Sequence, residues 1–173
     1  MITIISASGR EGNNTKFIAK ACKKVLKNFQ QEVQVLSFDM FPGDISVESI
    51  HKQEGSRFSE LAEKYIAPAD KLIFVIPEYN GSFPGMLKVF IDAIHPKTFK
   101  DKKAALMGVS TGRAGNLRGM DHLTDILHYL QVEVLSLKVP FSRVHTLLDE
   151  KGNIIDEETK EIIQLQMERF LQY

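Results

Sequence analysis

Residues 71–76 read KLIFVI and residues 104–110 read AALMGVS, two largely apolar runs bounded by polar or turn-forming residues. Neither run shows the alternation of polar and apolar side chains that marks a strand with one face in water. Continuous apolar runs of this length are typical of parallel strands that helices cover on both faces. These two runs therefore predict the centre of a parallel β-sheet.

The rest of the chain alternates between strand-like and helix-like patterns around this centre. Further β-rich runs occupy Ile2–Ser6, Val33–Phe38 and Val132–Val139. Apolar residues recur at helical spacing within 17–29, 58–66, 87–94, 120–130 and 162–171, and Asp156 is placed to cap the last helix. This alternation predicts an α/β fold, a three-layer α/β/α sandwich with a five-stranded parallel sheet in the flavodoxin-like order 2-1-3-4-5. The longest irregular piece, Asp39 to about Gly55, is expected to be an edge loop or a partner contact.

Composition narrows the class of protein. The 173 residues contain 22 basic and 22 acidic side chains, so the formal net charge is zero. Without an excess of positive charge, the chain has no electrostatic footprint for nucleic acid or for an anionic membrane. The single cysteine, Cys22, forbids an internal disulfide, and no apolar run approaches the ~20 residues of a membrane span. We therefore expect one domain over residues 1–173, cytoplasmic, with no signal peptide at Ile2–Ile5.

The loop after the first strand is rich in small and polar residues. Ligands of open α/β sheets bind beyond the carboxyl ends of the strands, and residues 6–15 at such an end read SASGREGNNT. Small residues let backbone N–H groups approach an anion at the helix start, and Arg10 supplies a fork suited to phosphate. The alternative is a polar turn with Asn14 or Thr15 as the helix N-cap. The loop lacks the glycine patterns of dinucleotide folds and of P-loops, which argues against ATP or GTP.

Two more loops of unusual composition follow the third and fourth strands. Residues 77–85 read PEYNGSFPG, in which Asn80-Gly81 favours a tight turn and Pro84 suits a helix start. Residues 110–119 read STGRAGNLRG, whose glycines permit close backbone approach to a flat ligand. The alternatives are a rigid turn with an exposed Tyr79 for the second loop and a flexible surface loop for the third. Three such loops at one sheet edge favour a ligand site.

The second loop carries a resemblance to a known family. Residues 77–88, PEYNGSFPGMLK, followed by Ile91-Asp92, resemble the signature of the NADPH-dependent FMN reductase family. Its members are flavodoxin-like flavoproteins that include quinone, azo-dye and chromate reductases. The resemblance spans nearly the whole chain: Ser8 and Arg10 match the family's phosphate-binding loop, and the third loop matches its second flavin loop.

The resemblance implies an FMN-dependent NAD(P)H oxidoreductase. NADPH or NADH would be the co-substrate, hydride would pass through flavin N5, and a quinone, azo compound, free flavin or similar small molecule would accept the electrons. No acid–base catalyst is implied; Tyr79 would line the substrate face, and Arg113 or Arg118 would meet an NADPH 2′-phosphate or lie solvated. The implied FMN ligands are Ser8, Arg10, Asn13, Asn14 and Thr15 at the phosphate, Pro77, Glu78, Tyr79, Asn80, Gly81 and Ser82 beside the ring, and Thr111, Gly112, Arg113, Ala114 and Gly115 on its other side.

The sequence departs from the family pattern at several positions. Asn13 stands where the family usually has serine, and Thr15 where it has asparagine, although both side chains can donate to phosphate. Ala114-Gly115 replaces paired glycines. Ala93 replaces a tryptophan that is often at an oligomer contact, so the implied homodimer or homotetramer is left open at this point.

Two functions of other classes stay open. One is a flavodoxin-type electron carrier without reductase activity, although zero net charge argues against the acidic docking face of carriers. The other is a flavin-free regulatory binding protein. A metal site is not expected, because none of the five histidines pairs at i, i+4 spacing. Cys22 is expected to be a buried, unreactive thiol.

Overall fold

The computed structural model describes residues 1–41 and 55–173. Residues 42–54, which hold most of the irregular piece expected between Asp39 and Gly55, lie outside the described residues. The strands are β1 (Ile2–Ser6), β2 (Val33–Ser37), β3 (Lys71–Pro77), β4 (Lys103–Val109), β5 (Glu133–Val134) and β6 (Val139–Phe141). The α-helices in the described ranges are α1 (Thr15–Asn28), α2 (Arg57–Tyr65), α3 (Gly85–Asp92), α4 (Leu117–Tyr129) and α5 (Glu157–Gln172).

The six strands in the described ranges join one parallel sheet. Its order is β2-β1-β3-β4-β5, and β6 also pairs with β4. β3 pairs with β4 over its whole length, from Lys71 opposite Lys103 to Pro77 opposite Val109, and with β1 on its other side. The α/β fold class and the flavodoxin-like order are thereby confirmed. Because the strands are parallel and in register, β1, β3 and β4 end at one edge of the sheet.

The central strands are buried on both faces, which explains their continuous apolar sequence. On one face, Phe74 and Leu106 pack in the apolar layer that also holds Phe58 of α2 and Leu123 of α4. On the other face, the alternate residues of the same strands pack in the layer that holds Met167 of α5. No helix in the described ranges is both long and apolar enough to cross a bilayer.

The predicted fifth strand, Val132–Val139, is wrong as a continuous element. The structure divides it into β5 and β6, and both short strands pair with β4. Between them, the buried side chain of Gln166 on α5 donates from Nε2 to the carbonyl oxygens of Leu106 (3.0 Å) and Leu137 (2.6 Å). A side-chain amide therefore occupies the place that a strand backbone would take.

Two local predictions are confirmed. Asp156 caps α5, because its carboxylate accepts a hydrogen bond from the backbone N–H of Thr159 at 2.8 Å. Hydrogen bonding by the side chain and the backbone N–H of Thr159 lowers the pKa of Asp156. Cys22 is fully buried, with Sγ 3.2 Å from the sulfur of Met107. Burial raises the pKa of the Cys22 thiol to about 12. A thiol with this pKa stays protonated near neutral pH and is a poor nucleophile.

The bridge made by Gln166 predicts a stability effect. Gln166→Leu should lower the free energy of unfolding by about 2 kcal/mol, because it removes the donor from two carbonyl oxygens inside the protein. Urea denaturation measures the change. Gln164→Leu, at an exposed position of the same helix, is the matched control and should shift the midpoint little. Equal midpoints for the two variants would contradict the structural role of Gln166.

Candidate active site

Three loops meet at the edge where β1, β3 and β4 end, and they enclose a cavity of about 430 Å³. This volume lies within the range of about 300–1,000 Å³ found for small-molecule sites. Size alone does not distinguish it, because other cavities of about 430–560 Å³ exist in the described part of the chain. The lining does distinguish it, since the loops after β1, β3 and β4 meet there at a helix start whose first turn holds no acidic residue.

The first loop folds back on itself at Arg10. The backbone N–H and the side-chain amide of Asn13 both donate to the carbonyl oxygen of Arg10, at 3.2 and 2.8 Å. Ser8 is buried, and its hydroxyl accepts a long hydrogen bond of 3.4 Å from the N–H of Arg10. Gly12 has φ +70°, a conformation that favours glycine. The loop is therefore a defined turn that leads directly into α1.

The start of α1 is suited to an anion. Asn14 occupies the N-cap position, but its side chain makes no capping bond within the described residues. The capping hydrogen bond comes from Asn13 instead, whose Oδ1 accepts a hydrogen bond from the backbone N–H of Lys16 at 3.1 Å. The first turn holds no acidic residue, so the positive end of the helix dipole is not neutralised from within the helix.

The second loop contains the tight turn predicted at Asn80-Gly81. Both residues have positive φ, 51° and 78°, and the N–H groups of Tyr79 and Ser82 each donate to the other residue's carbonyl oxygen. Asn80-Gly81 is therefore confirmed as the turn. Tyr79 is 37 % exposed, and its hydroxyl lies 3.2 Å from Oγ of Ser8. This contact joins the second loop to the first.

The third loop is held by hydrogen bonds, which argues against a freely flexible surface loop. The hydroxyl of Ser110 accepts from the N–H of Gly115 and donates to the carbonyl oxygen of Gly112, both at 3.1 Å. From the segment after β6, the N–H of Arg143 donates to Gly112 at 2.9 Å and the hydroxyl of Ser142 donates to Arg113 at 2.7 Å.

The structure brings together part of the predicted site. Of the predicted residues, those that line the cavity are Ser8, Arg10, Asn13, Asn14, Thr15, Pro77, Glu78, Tyr79 and Thr111. The remainder lie in the same loops away from the lining: Asn80, Gly81, Ser82, Gly112, Arg113, Ala114 and Gly115. The lining also includes residues outside the prediction, Glu11, Gly12, Val109, Ser110 and Val144. Val144 carries no local sequence signal, because it reaches the cavity only through the chain segment that follows β6.

Comparison with known proteins places the chain in a family. The profile of the NADPH-dependent FMN reductase family matches residues 1–146. The chain belongs to this family, which confirms the resemblance drawn from its sequence. The expected class, an oxidoreductase that uses FMN and NAD(P)H, is confirmed with it.

Individual relatives agree with this assignment. The chain is 38 % identical over 113 residues to an NAD(P)H-dependent FMN reductase of Pseudomonas aeruginosa, covering 63 % of this chain and 61 % of that protein. It is 32 % identical over 143 residues to a 2-hydroxy-1,4-benzoquinone reductase of a Burkholderia species, covering 78 % and 77 %. The solved structure of a flavoenzyme NAD(P)H:(acceptor) oxidoreductase of Paracoccus denitrificans has a TM-score of 0.78 at 21 % identity, covering 99 % of this chain and 95 % of that one. That likeness shows the shared fold.

The residues at this edge fit FMN. A phosphate is favoured at the start of α1, where hydroxyl and amide side chains surround the helix end and Arg10 supplies positive charge. Arg10 is the one basic residue among the described lining residues, which also include Glu11 and Glu78. Residues 77–79 and Thr111 line the rest of the cavity and could contact the flavin ring.

The packing beneath the third loop predicts another stability effect. A Cβ at Gly108 of β4 would collide with the carbonyl oxygen of Gly115, so Gly108→Ala should lower the free energy of unfolding by about 2 kcal/mol and displace the loop. Gly85→Ala is the control, because a Cβ there meets no atom within 4 Å and alanine favours a helix start. Thermal unfolding of both variants measures the difference. Similar melting temperatures would show that the third loop can move away from an added Cβ without loss of stability, and would contradict the prediction.

Proposed function

We propose that the chain is an FMN-dependent enzyme that transfers hydride from NAD(P)H through flavin N5 to a quinone, azo compound, free flavin or similar small-molecule acceptor. The observation that carries the proposal is the single cavity in which the start of α1 meets the loops after β3 and β4. Membership of the NADPH-dependent FMN reductase family supports it. FMN bound here supplies the chemistry, by accepting and releasing hydride at N5.

In this proposal the first loop binds the phosphate of FMN. Ser8, Asn13, Asn14 and Thr15 donate hydrogen bonds from hydroxyl and amide groups, and the end of α1 adds its dipole. The guanidinium of Arg10 adds a charge-assisted hydrogen bond. These groups are on the rigid strand–helix junction after β1, so little of the loop has to be ordered on binding.

The second and third loops hold the ring. Residues 77–82 would hold one side of the isoalloxazine and residues 111–115 the other. The Tyr79–Ser82 turn and Ser110 position backbone groups of these two loops. Tyr79, which is partly exposed, would line the face where NAD(P)H and then the acceptor dock. Arg113, in the third loop, and Arg118, in the first turn of α4, are exposed, and either could meet a 2′-phosphate of NADPH.

We propose further that residues 1–173 act as one FMN-binding domain in a cytoplasmic homodimer or homotetramer. In the family that the sequence resembles, a tryptophan at the position of Ala93 is often at an oligomer contact. Ala93 is fully buried here, so neighbouring residues of α3 would form that contact. The single buried thiol is consistent with a reducing compartment. Sedimentation velocity measures the assembly, and a monomer at micromolar concentration would contradict it.

The direct test is the visible spectrum of the FMN-loaded protein under anaerobic conditions. We expect two oxidised-flavin bands that bleach on addition of NADPH or NADH and return on addition of a quinone. Bound flavin that stays oxidised until a separate reductase is added would indicate an electron carrier. Absence of any spectral shift or thermal stabilisation with FMN would overturn the proposal and favour a flavin-free binding protein.

The phosphate assignment gives a mutational prediction. Arg10→Ala should raise the Kd for FMN at least about tenfold, because a charge-assisted hydrogen bond is worth roughly 1.5–3 kcal/mol. Quenching of flavin fluorescence on titration measures the Kd. Arg169→Ala, at an exposed position of α5, is the matched control and should bind FMN as the unmodified chain does. Equal affinity of the two variants would remove Arg10 from the phosphate site.

A further inference from the structure

Asn116, directly before α4, makes unusual use of its side chain. An asparagine at a helix N-cap normally accepts a hydrogen bond from its own helix. Asn116 makes no such bond in the described part of the chain; its amide Nδ2 donates instead to the carbonyl oxygens of Ile76 (3.2 Å) and Pro77 (2.9 Å). These are the last two residues of β3, where the second loop begins. The amide therefore fixes the start of that loop.

The side chain of Asn116 is buried in a space that neighbouring glycines leave open. Asn116 is 1 % exposed and has φ 61°, a left-handed conformation that costs a non-glycine residue roughly 1 kcal/mol or more. A Cβ at Gly119 would collide with Oδ1 of Asn116, and a Cβ at Gly108 would lie 3.1 Å from its Cβ. Two glycines on different elements leave the space that one side chain fills.

A second contact joins α4 to the far end of the same turn. His122 lies on α4, six residues after Asn116, and its Nδ1 lies 2.9 Å from Oγ of Ser82. Ser82 closes the tight turn with Tyr79 through two backbone hydrogen bonds of 2.8 and 3.1 Å. The turn is therefore attached to α4 through the side chain of His122.

The attached turn also reaches the first loop. Tyr79, at its start, has its hydroxyl 3.2 Å from Oγ of Ser8. A line of contacts thus runs from His122 through Ser82 and Tyr79 to Ser8. A change in the position of the turn relative to α4 would be transmitted both to the ring region and to the phosphate loop.

We propose that Asn116 and His122, which we call the α4 clamp, are positioning residues that hold residues 77–82 in the geometry needed for FMN. Asn116 fixes where the loop leaves β3, and His122 fixes the turn. Neither residue lines the cavity, so their effect on FMN is exerted through the loop. This inference rests on the proposed function. It assigns a role to two side chains that the FMN site itself leaves unexplained.

His122 provides the test, because it is exposed and its replacement leaves the core intact. Asn116→Ala, by contrast, strips two buried carbonyls of their donor and can unfold the chain. In His122→Phe the turn loses one hydrogen bond, so the Kd for FMN should rise about fivefold. His122→Gln keeps a hydrogen-bonding group and should restore most of the affinity. His128→Phe, exposed on the same helix but distant from the second loop, is the matched control.

Two readouts separate positioning from general stability. The melting temperature of the flavin-free protein should be the same in His122→Phe and His128→Phe. Hydrogen exchange at the N–H groups of Tyr79 and Ser82 should be about fivefold faster in His122→Phe alone. Unchanged FMN affinity in His122→Phe, with or without faster exchange, would overturn the clamp as a flavin-positioning device. If the unmodified chain bound no FMN, the proposed function would fail first, and the exchange data would still report whether His122 holds the turn.

Discussion

The rest of the structure depends on the parallel, in-register pairing of β1, β3 and β4. These strands are covered on both faces, so side chains of alternate direction, such as Ile73 and Phe74, enter different apolar layers. A one-residue shift in strand register would exchange the side chains of the two faces. Because both faces are apolar, burial opposes such a shift only weakly. The observed register pairs β3 with β4 at every residue, from Lys71 opposite Lys103 to Pro77 opposite Val109. That register brings three loops to one edge, and without it there would be no shared cavity.

At that edge, side chains make hydrogen bonds to loop backbone that neighbouring strands make elsewhere in the sheet. Gly108 lets the third loop approach the sheet, and Ser110 and Asn116 supply hydrogen bonds that strand neighbours would otherwise make. The third loop is thus exposed along residues 111–114 and yet held at several atoms. A flavin site benefits from this arrangement, because a pre-ordered loop loses little conformational entropy when it contacts a flat ligand.

The opposite end of the sheet anchors the C-terminal helix. Lys71 and Lys103, the first residues of β3 and β4, donate to backbone carbonyls at the end of α5; the Lys71 bonds to Phe170 and Leu171 measure 2.7 and 2.9 Å. Cations at this position satisfy free carbonyls and oppose the negative end of the helix dipole. Anchored in this way, α5 can insert Gln166 where the fifth strand is interrupted. The helix therefore completes a sheet whose own last strands are short.

The sequence by itself determined the features that depend on local pattern. Apolar runs marked β3 and β4, helical periodicity marked the covering helices, and Asn80-Gly81 marked a turn, because each reflects burial or backbone freedom within a few residues. Only the tertiary structure decided which loop residues line the cavity, why β5 and β6 are separate, and that His122 contacts Ser82. Gln166 lies 60 residues from Leu106, and His122 lies 40 from Ser82, so neither pairing leaves a periodic trace. A polar residue on a helix usually lies on a solvated face, so an exception such as the buried Gln166 is visible only in the packing.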